Sequence, residues 1–119
     1  MHELALAEAV VAIADQHARG RRVARVELRV GRLRQVVPDA LTFSFELAAQ
    51  GTVVEGAELA LEEVPVRLAC RACGSSSLIE DLPLGCRSCG SFDVEVASGE
   101  EFQVVALELE GELVAAARR

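Results

Sequence analysis

The 119-residue chain contains no tryptophan, no tyrosine and no lysine. Four phenylalanines supply all of its aromatic surface, so a hydrophobic fraction of 51% is carried by aliphatic side chains, many of them alanine and valine. A core of that kind is thin per residue, and a metal cluster that fixes one segment would make physical sense in it. All 12 basic residues are arginines, set against 19 acidic ones, for a formal charge of -7. That balance repels a phosphate backbone, and no compact basic run with interleaved aromatics offsets it. The densest basic group, Arg19, Arg21, Arg22 and Arg25, reads as a solvated turn, so nucleic acid is not an expected partner. Two histidines are too few to assemble a serine–histidine–acid arrangement, and no nucleotide-binding glycine loop is present. Ordinary enzymology is therefore not expected. No uninterrupted apolar run approaches membrane-spanning length, and no basic region precedes the first apolar residues, so neither a membrane span nor a secretory leader is expected.

The length suits one ordinary domain, or a small domain carrying a metal-stabilised module. From Leu4 to Arg19 the pattern is helical: Leu6, Val10, Ile13 and His17 recur at spacings of three and four, flanked by Ala7, Val11, Ala14 and Ala18. Glu3 and Glu8 near the amino end and Arg19 at the carboxyl end suit the helix dipole, and Gly20 is a natural terminator. A strand follows, with Val26, Leu28 and Val30 alternating against Arg25, Glu27 and Arg29 up to Gly31. Pro38 reads as a first-turn residue of a second helix whose buried side is expected to carry Leu41, Phe45 and Ala48, widened by Phe43 and Leu47 and closed by Gly51. A second strand is expected from about Glu58 to Val64, halted by Pro65, and a third from Phe102 to Glu110. Phe102 and Val104 share one face of the third strand, whereas Val105, Leu107 and Leu109 share the other. A bulge near Val105 or burial on both faces would account for that phase change. The predicted fold is α+β: a small antiparallel or mixed three-stranded sheet with two helices, plus an inserted four-cysteine, zinc-ribbon-like module. The main domain is expected over 1–66 and 98–119, and the module over 67–97.

All four cysteines fall in that module, in two pairs. Cys70-Arg71-Ala72-Cys73-Gly74 and Cys86-Arg87-Ser88-Cys89-Gly90 are the same device twice. Two cysteines three positions apart wrap a tight turn so that both sulfurs reach one ion, and the glycine after each pair lets the backbone turn. Together Cys70, Cys73, Cys86 and Cys89 supply a complete tetrahedral sulfur set with no open position, which defines a structural rather than a catalytic Zn2+ site. A rubredoxin-like iron centre uses the same ligand set. A redox dithiol would leave one pair unexplained. Four thiolates around Zn2+ leave a net charge of -2, which Arg71 and Arg87 are placed to offset in part. A secreted disulfide scaffold would scatter its cysteines, so the reduced cytoplasm is the expected compartment.

The opening Met1-His2-Glu3 admits two readings. A histidine in second position lets the terminal amine, its own amide nitrogen and its imidazole Nδ1 close small chelate rings around one metal, with the Glu3 amide nitrogen completing a plane. Planar nitrogen ligation suits Ni2+ or Cu2+ rather than zinc. Alternatively, His2 is a surface residue at a frayed terminus. His17 reads as a helix-end group, and Glu62 and Glu63 lie on opposite strand faces, so neither belongs to a site.

Several further stretches carry more information together than apart: Met1-His2-Glu3-Leu4, Val30-Gly31-Arg32-Leu33, Val37-Pro38-Asp39-Ala40-Leu41 with Phe43-Ser44-Phe45-Glu46, Gly51-Thr52, Leu59 to Pro65, the two cysteine knuckles, and Ser98-Gly99-Glu100-Glu101. With these, the chain resembles the hydrogenase maturation nickel metallochaperones of the HypA/HybF family over essentially its whole length. The resemblance implies that His2 is the indispensable Ni2+ ligand, assisted by the Met1 amine and the backbone nitrogens of His2 and Glu3, with the Glu3 side chain as an accessory. It implies Ni2+ as transferred cargo and Zn2+ as a structural ion. The implied partners are a nickel-binding GTPase accessory protein, the precursor of the nickel–iron hydrogenase large subunit and, for some members, urease maturation proteins. A cytoplasmic monomer or weak homodimer fits this role. The rival expectation is an acidic zinc-ribbon interaction or regulatory domain that delivers no nickel. Three departures from the family pattern stand out. Ala5 replaces a frequent serine, no histidines flank the Cys70–Cys89 segment, and Arg87 stands where many relatives have proline, which implies a looser second turn.

Overall fold

The computed structural model describes residues 2–80, 83–110 and 112–115, the last four by backbone alone. Its elements run α1 (His2–Ala18), β1 (Val23–Gly31), a 3-10 turn (Arg32–Arg34), α2 (Pro38–Ala49), β2 (Glu58–Val64), β3 (Val66–Cys70), β4 (Ser76–Ile79), β5 (Val94–Ser98), β6 (Phe102–Leu109) and β7 (Glu112–Ala115). The fold is α+β, with one sheet ordered β2-β1-β6-β7 and a second ordered β4-β3-β5. The chain divides into two compact units. One comprises residues 1–29, 36–62 and 102–119, and the other residues 30–35 and 63–101.

In the first unit α1 packs against α2 and β6. The buried face of α1 is its small side, Ala7, Val10, Val11, Ala14 and Ala18, while Leu6, Ile13 and His17 are half-buried. Pro38 opens α2 after the N-cap Val37, as its fixed φ favours. The expected buried face of α2 needs correction. Leu41 and Phe45 are fully buried together with Ser44 and Ala49, but Phe43 is 62% exposed and Leu47 46% exposed. On β1, Val26, Leu28 and Val30 are buried as the alternation requires. Arg25 and Arg29 reach from its other face to Glu58 and Glu62 at 3.4 and 3.3 Å. Along β6 burial changes parity between Val104 and Leu107, the phase change that the sequence showed. The sheet has four strands rather than three, because Glu112–Ala115 pairs antiparallel with β6 in the register Leu109↔Glu112.

The second unit is built on β3, which pairs antiparallel with β4 on one side and β5 on the other. Val66, Leu68 and Ile79 form its core, and Leu33, Leu84, Val94 and Val96 pack around them. The segment 30–35 is tied in by its backbone. The Gly31 N–H donates to the Glu101 carbonyl at 2.7 Å and the Leu33 N–H to the Gly99 carbonyl at 2.8 Å. Gly31 has an ordinary extended backbone, with φ -75° and ψ 146°. Its need for glycine is one of space, since a Cβ there would collide with the backbone of Gly99 and Glu100. Two of the sequence stretches noted above thus meet at a contact that only glycine permits.

Candidate metal centre

The strand register brings the two cysteine pairs together. Alternation along β3 turns Val66, Leu68 and Cys70 inward, so Cys70 ends the strand buried. Ala69 pairs with Ser76 at the start of β4, and Cys70 pairs with Val94 at the start of β5. The segments preceding both outer strands therefore converge on one end of β3. Each closes into a tight turn: the Gly74 N–H donates to the Cys70 carbonyl at 3.0 Å and the Gly90 N–H to the Cys86 carbonyl at 2.9 Å. Both glycines sit at φ +79°, a left-handed conformation that glycine adopts without strain.

The four sulfurs lie within 4.8 Å of one another. Cys70 Sγ is 3.7 Å from Cys89 Sγ, and Cys73 Sγ is 3.6 Å from Cys86 Sγ. A tetrahedron with metal–sulfur bonds of about 2.3 Å separates its sulfurs by about 3.8 Å, so the four cysteines fit a single tetrahedral ion. Cys70 and Cys86 are buried, while Cys73 and Cys89 face solvent. Among the described residues no other trio of histidine, cysteine or carboxylate side chains converges in this way.

Hydrogen bonds to sulfur favour the thiolate state a metal requires. The Cys73 N–H points to Cys70 Sγ at 3.4 Å, and the Ser88 and Cys89 N–H groups point to Cys86 Sγ at 3.3 and 3.4 Å. Ser75 Oγ lies 3.0 Å from Cys73 Sγ and 3.5 Å from Cys86 Sγ, so one hydroxyl serves a sulfur from each pair. Its hydroxyl is the foremost cause that lowers the Cys73 thiol and brings Cys86 down to about 5, the latter with help from the Cys89 amide. Cys89 goes the other way. The Ser91 amide draws it down, but the neighbouring thiols, Cys70 foremost, with partial desolvation outweigh that and push it up to about 12. Four sulfurs so close cannot all ionise unaided, and a bound cation is what would let them. Ser75 was not singled out from the sequence, although the serine after each Cys-x-x-Cys-Gly was a visible signal. The two arginines of the knuckles find other partners: Arg71 bonds Asp93 Oδ1 at 3.0 Å and the Val94 carbonyl at 3.2 Å, and Arg87 bonds the Pro83 carbonyl at 3.4 Å.

At the other candidate site, His2 is the first residue of α1 and is exposed. Glu3 Oε2 accepts a hydrogen bond from the Val37 N–H at 3.2 Å, linking the start of α1 to the N-cap of α2. That bond is the main cause holding the Glu3 carboxyl below its ordinary value of 4.5. Met1 lies outside the described residues. His17 is occupied locally, its Nδ1 2.9 Å from the Ile13 carbonyl one turn back. No helix among the described residues is long and apolar enough to cross a membrane.

Comparison with known proteins places this geometry in a family. The family model described as hydrogenase/urease nickel incorporation, metallochaperone, HypA, matches residues 1–109. The hydrogenase maturation factor HypA of Trichormus variabilis is 41% identical over 110 residues, covering 92% of this chain and 96% of the relative. That of Geobacter sp. strain M21 is 44% identical over 110 residues, covering 92% and 100%. Two solution structures share the fold. That of the Ni metallochaperone HypA from Helicobacter pylori has a TM-score of 0.66 at 23% identity, covering 92% of this chain and 97% of its own. A second HypA solution structure has a TM-score of 0.68 at 24% identity, covering 94% and 98%. The chain belongs to the HypA family of nickel metallochaperones for hydrogenase maturation, whose members are chaperones rather than enzymes.

Proposed function

We propose that the protein binds Ni2+ at its amino terminus and hands it on for assembly of nickel–iron hydrogenase, with Zn2+ held by Cys70, Cys73, Cys86 and Cys89 as a structural ion. The nickel ligands are the Met1 amine, the amide nitrogen and imidazole Nδ1 of His2, and the amide nitrogen of Glu3. One observation carries this reading: a HypA-family chain has an exposed histidine in second position at the very start of a helix. The first amides of a helix have no acceptor within it, so metal can displace their protons without breaking a helical hydrogen bond. A plane of nitrogens suits Ni2+ or Cu2+ rather than Zn2+, and the family match favours Ni2+; a closed sulfur tetrahedron suits Zn2+. The Zn2+ would fix the geometry of the module and contribute to its folding, with no ligand position left for chemistry.

In this reading the two metals belong to separate parts of the chain, nickel to the domain 1–66 and 98–119, zinc to the module 67–97. The partners are a nickel-binding GTPase accessory protein and the hydrogenase large-subunit precursor, with urease maturation as a further destination, in the cytoplasm. Metal analysis of untagged protein after nickel loading tests the assignment. His2→Ala is expected to lose nickel while zinc content stays fixed. Zinc lost along with nickel, full nickel loading after the terminal amine is blocked, or a nickel spectrum with thiolate charge transfer would refute it.

A further inference from the structure

The two knuckles are the core of a longer internal repeat. Cys70-Arg71-Ala72-Cys73-Gly74-Ser75-Ser76-Ser77 aligns with Cys86-Arg87-Ser88-Cys89-Gly90-Ser91-Phe92-Asp93. Each copy closes on itself in the same way, the Cys70 N–H on the Ser75 carbonyl and the Cys86 N–H on the Ser91 carbonyl, both at 2.9 Å. The copies are then joined by a reciprocal clasp. In each, the arginine after the leading cysteine turns its N–H to the last residue of the other copy: Arg71 to the Asp93 carbonyl at 3.0 Å, Arg87 to Ser77 Oγ at 3.1 Å.

The two halves of the clasp are chemically unequal. The first uses a main-chain acceptor that any residue at position 93 would supply. The second needs a side-chain oxygen. Ser77 stands on the buried face of β4, directly opposite Leu68 and only 6% exposed, where strand alternation calls for an apolar residue. A hydroxyl buried there is costly unless bonded, and the bond it makes is to the Arg87 amide. That amide lies between Cys86 and the two N–H groups that point at Cys86 Sγ. Its anchor therefore sets where the second pair of sulfurs stands relative to the first.

We infer that Ser77 is a positioning residue for the metal centre, holding the Cys86–Cys89 knuckle against the Cys70–Cys73 knuckle through the Arg87 N–H. The inference rests on the reading of the four cysteines as a metal site. Arginine at position 87 keeps the N–H that serves as this tether. Proline there would have no N–H to give, and the hydroxyl at Ser77 would then have no such role.

Threonine and valine have the same shape and differ at position 77 only by the hydroxyl, so Ser77→Thr against Ser77→Val isolates the bond. The full chain is loaded with Co2+, whose thiolate charge-transfer absorption reports tetrahedral sulfur ligation, and release to excess EDTA is timed. Ser77→Thr should release metal at the wild-type rate and Ser77→Val about tenfold faster, the scale of stranding an inward amide donor. In the Arg87→Pro background the advantage of threonine over valine should vanish or reverse, since the buried hydroxyl has lost its donor. Amide exchange at Arg87, read on the same proteins, should accelerate in Ser77→Val alone. Equal rates for threonine and valine, or an advantage of threonine that persists with proline at 87, would overturn the inference. A wild-type chain that shows no thiolate–cobalt absorption would instead refute the metal site itself.

Discussion

Replacing Gly31 by alanine adds one methyl group, and the structure makes that methyl expensive. The backbone angles at Gly31 are open to any residue, so no dihedral strain enters. The whole cost is steric, because the new Cβ would occupy the place of the Gly99 carbonyl. Gly99 has little room to retreat, since its own side is crowded by Val66, whose Cα lies 2.9 Å from where a Gly99 Cβ would be. The chain must then open the contact between segment 30–35 and segment 99–101, which carries the Gly31–Glu101 and Leu33–Gly99 hydrogen bonds. Overpacking costs about 1–3 kcal/mol, and each lost hydrogen bond about 1 kcal/mol more. A total of about 3–5 kcal/mol is a large share of the 5–15 kcal/mol that stabilises an ordinary domain. At roughly 4 °C per kcal/mol for a domain of this size, melting should fall by about 12–20 °C. Thermal unfolding followed by circular dichroism measures the shift, and amide exchange at Leu33 locates it. A Gly31→Ala protein that melts within about 2 °C of wild type, with Leu33 still protected, would show that the close approach is not required.

Two smaller predictions follow from the first unit. Glu3 has a folded-state pKa below its ordinary 4.5, held there chiefly by the Val37 N–H, so its contribution to stability is present above pH 4.5 and lost as pH falls through the folded value. The stability gap between wild type and Glu3→Gln should accordingly narrow under acid in urea titrations, and a gap that is the same at pH 7 and pH 3 would contradict the bond. Phe45→Ala should cost about 3–5 kcal/mol because the ring is fully buried, whereas Phe43→Ala should stay within about 0.5 kcal/mol, as expected of a mostly exposed side chain. Equal losses at the two positions would mean that the face of α2 had been misplaced.

The last comparison marks where the sequence was legible and where it was not. Pro38 and Asp39 announced the start of α2, and Gly20 and Gly31 the ends of α1 and β1, because these residues act through local backbone geometry. The buried face of α2 was a tertiary question. Helical spacing let Phe43 and Leu47 widen the expected buried side, but both are exposed, and Ser44 and Ala49 are buried instead. Close packing of helices favours small side chains over apolar ones that do not fit. The strands of the cysteine module were hidden for a related reason. Val66, Leu68 and Cys70 alternate cleanly, but their partner strand carries Ser77 on its buried face, which broke the apolar pattern. β7 was missed because four residues carry too little periodicity to stand alone. The cysteines were the opposite case, since doubled spacing and a following glycine encode the site without reference to the fold.

The same distinction bears on how one small chain could keep two ions apart. A sulfur cage assembled from the ends of three strands gains its rigidity from the sheet, from the turns at Gly74 and Gly90, and from the clasp between the repeats. With a structural ion bound as proposed, its removal would leave four close thiols in conflict, with Cys86 drawn toward ionisation and Cys89 pushed away from it. The start of α1 has the reverse character: an exposed His2, helical amides without acceptors, and one carboxylate bond to the N-cap of α2. Freeing a terminal turn disturbs few interactions, because helix ends lie at the low end of local stability. In the proposed function the retained ion therefore sits where unfolding is costly, and the transferred ion sits where it is cheap. Protection of the first-turn amides of α1 against exchange, at the level of Val10 and Ala14 in its buried face, would remove that argument.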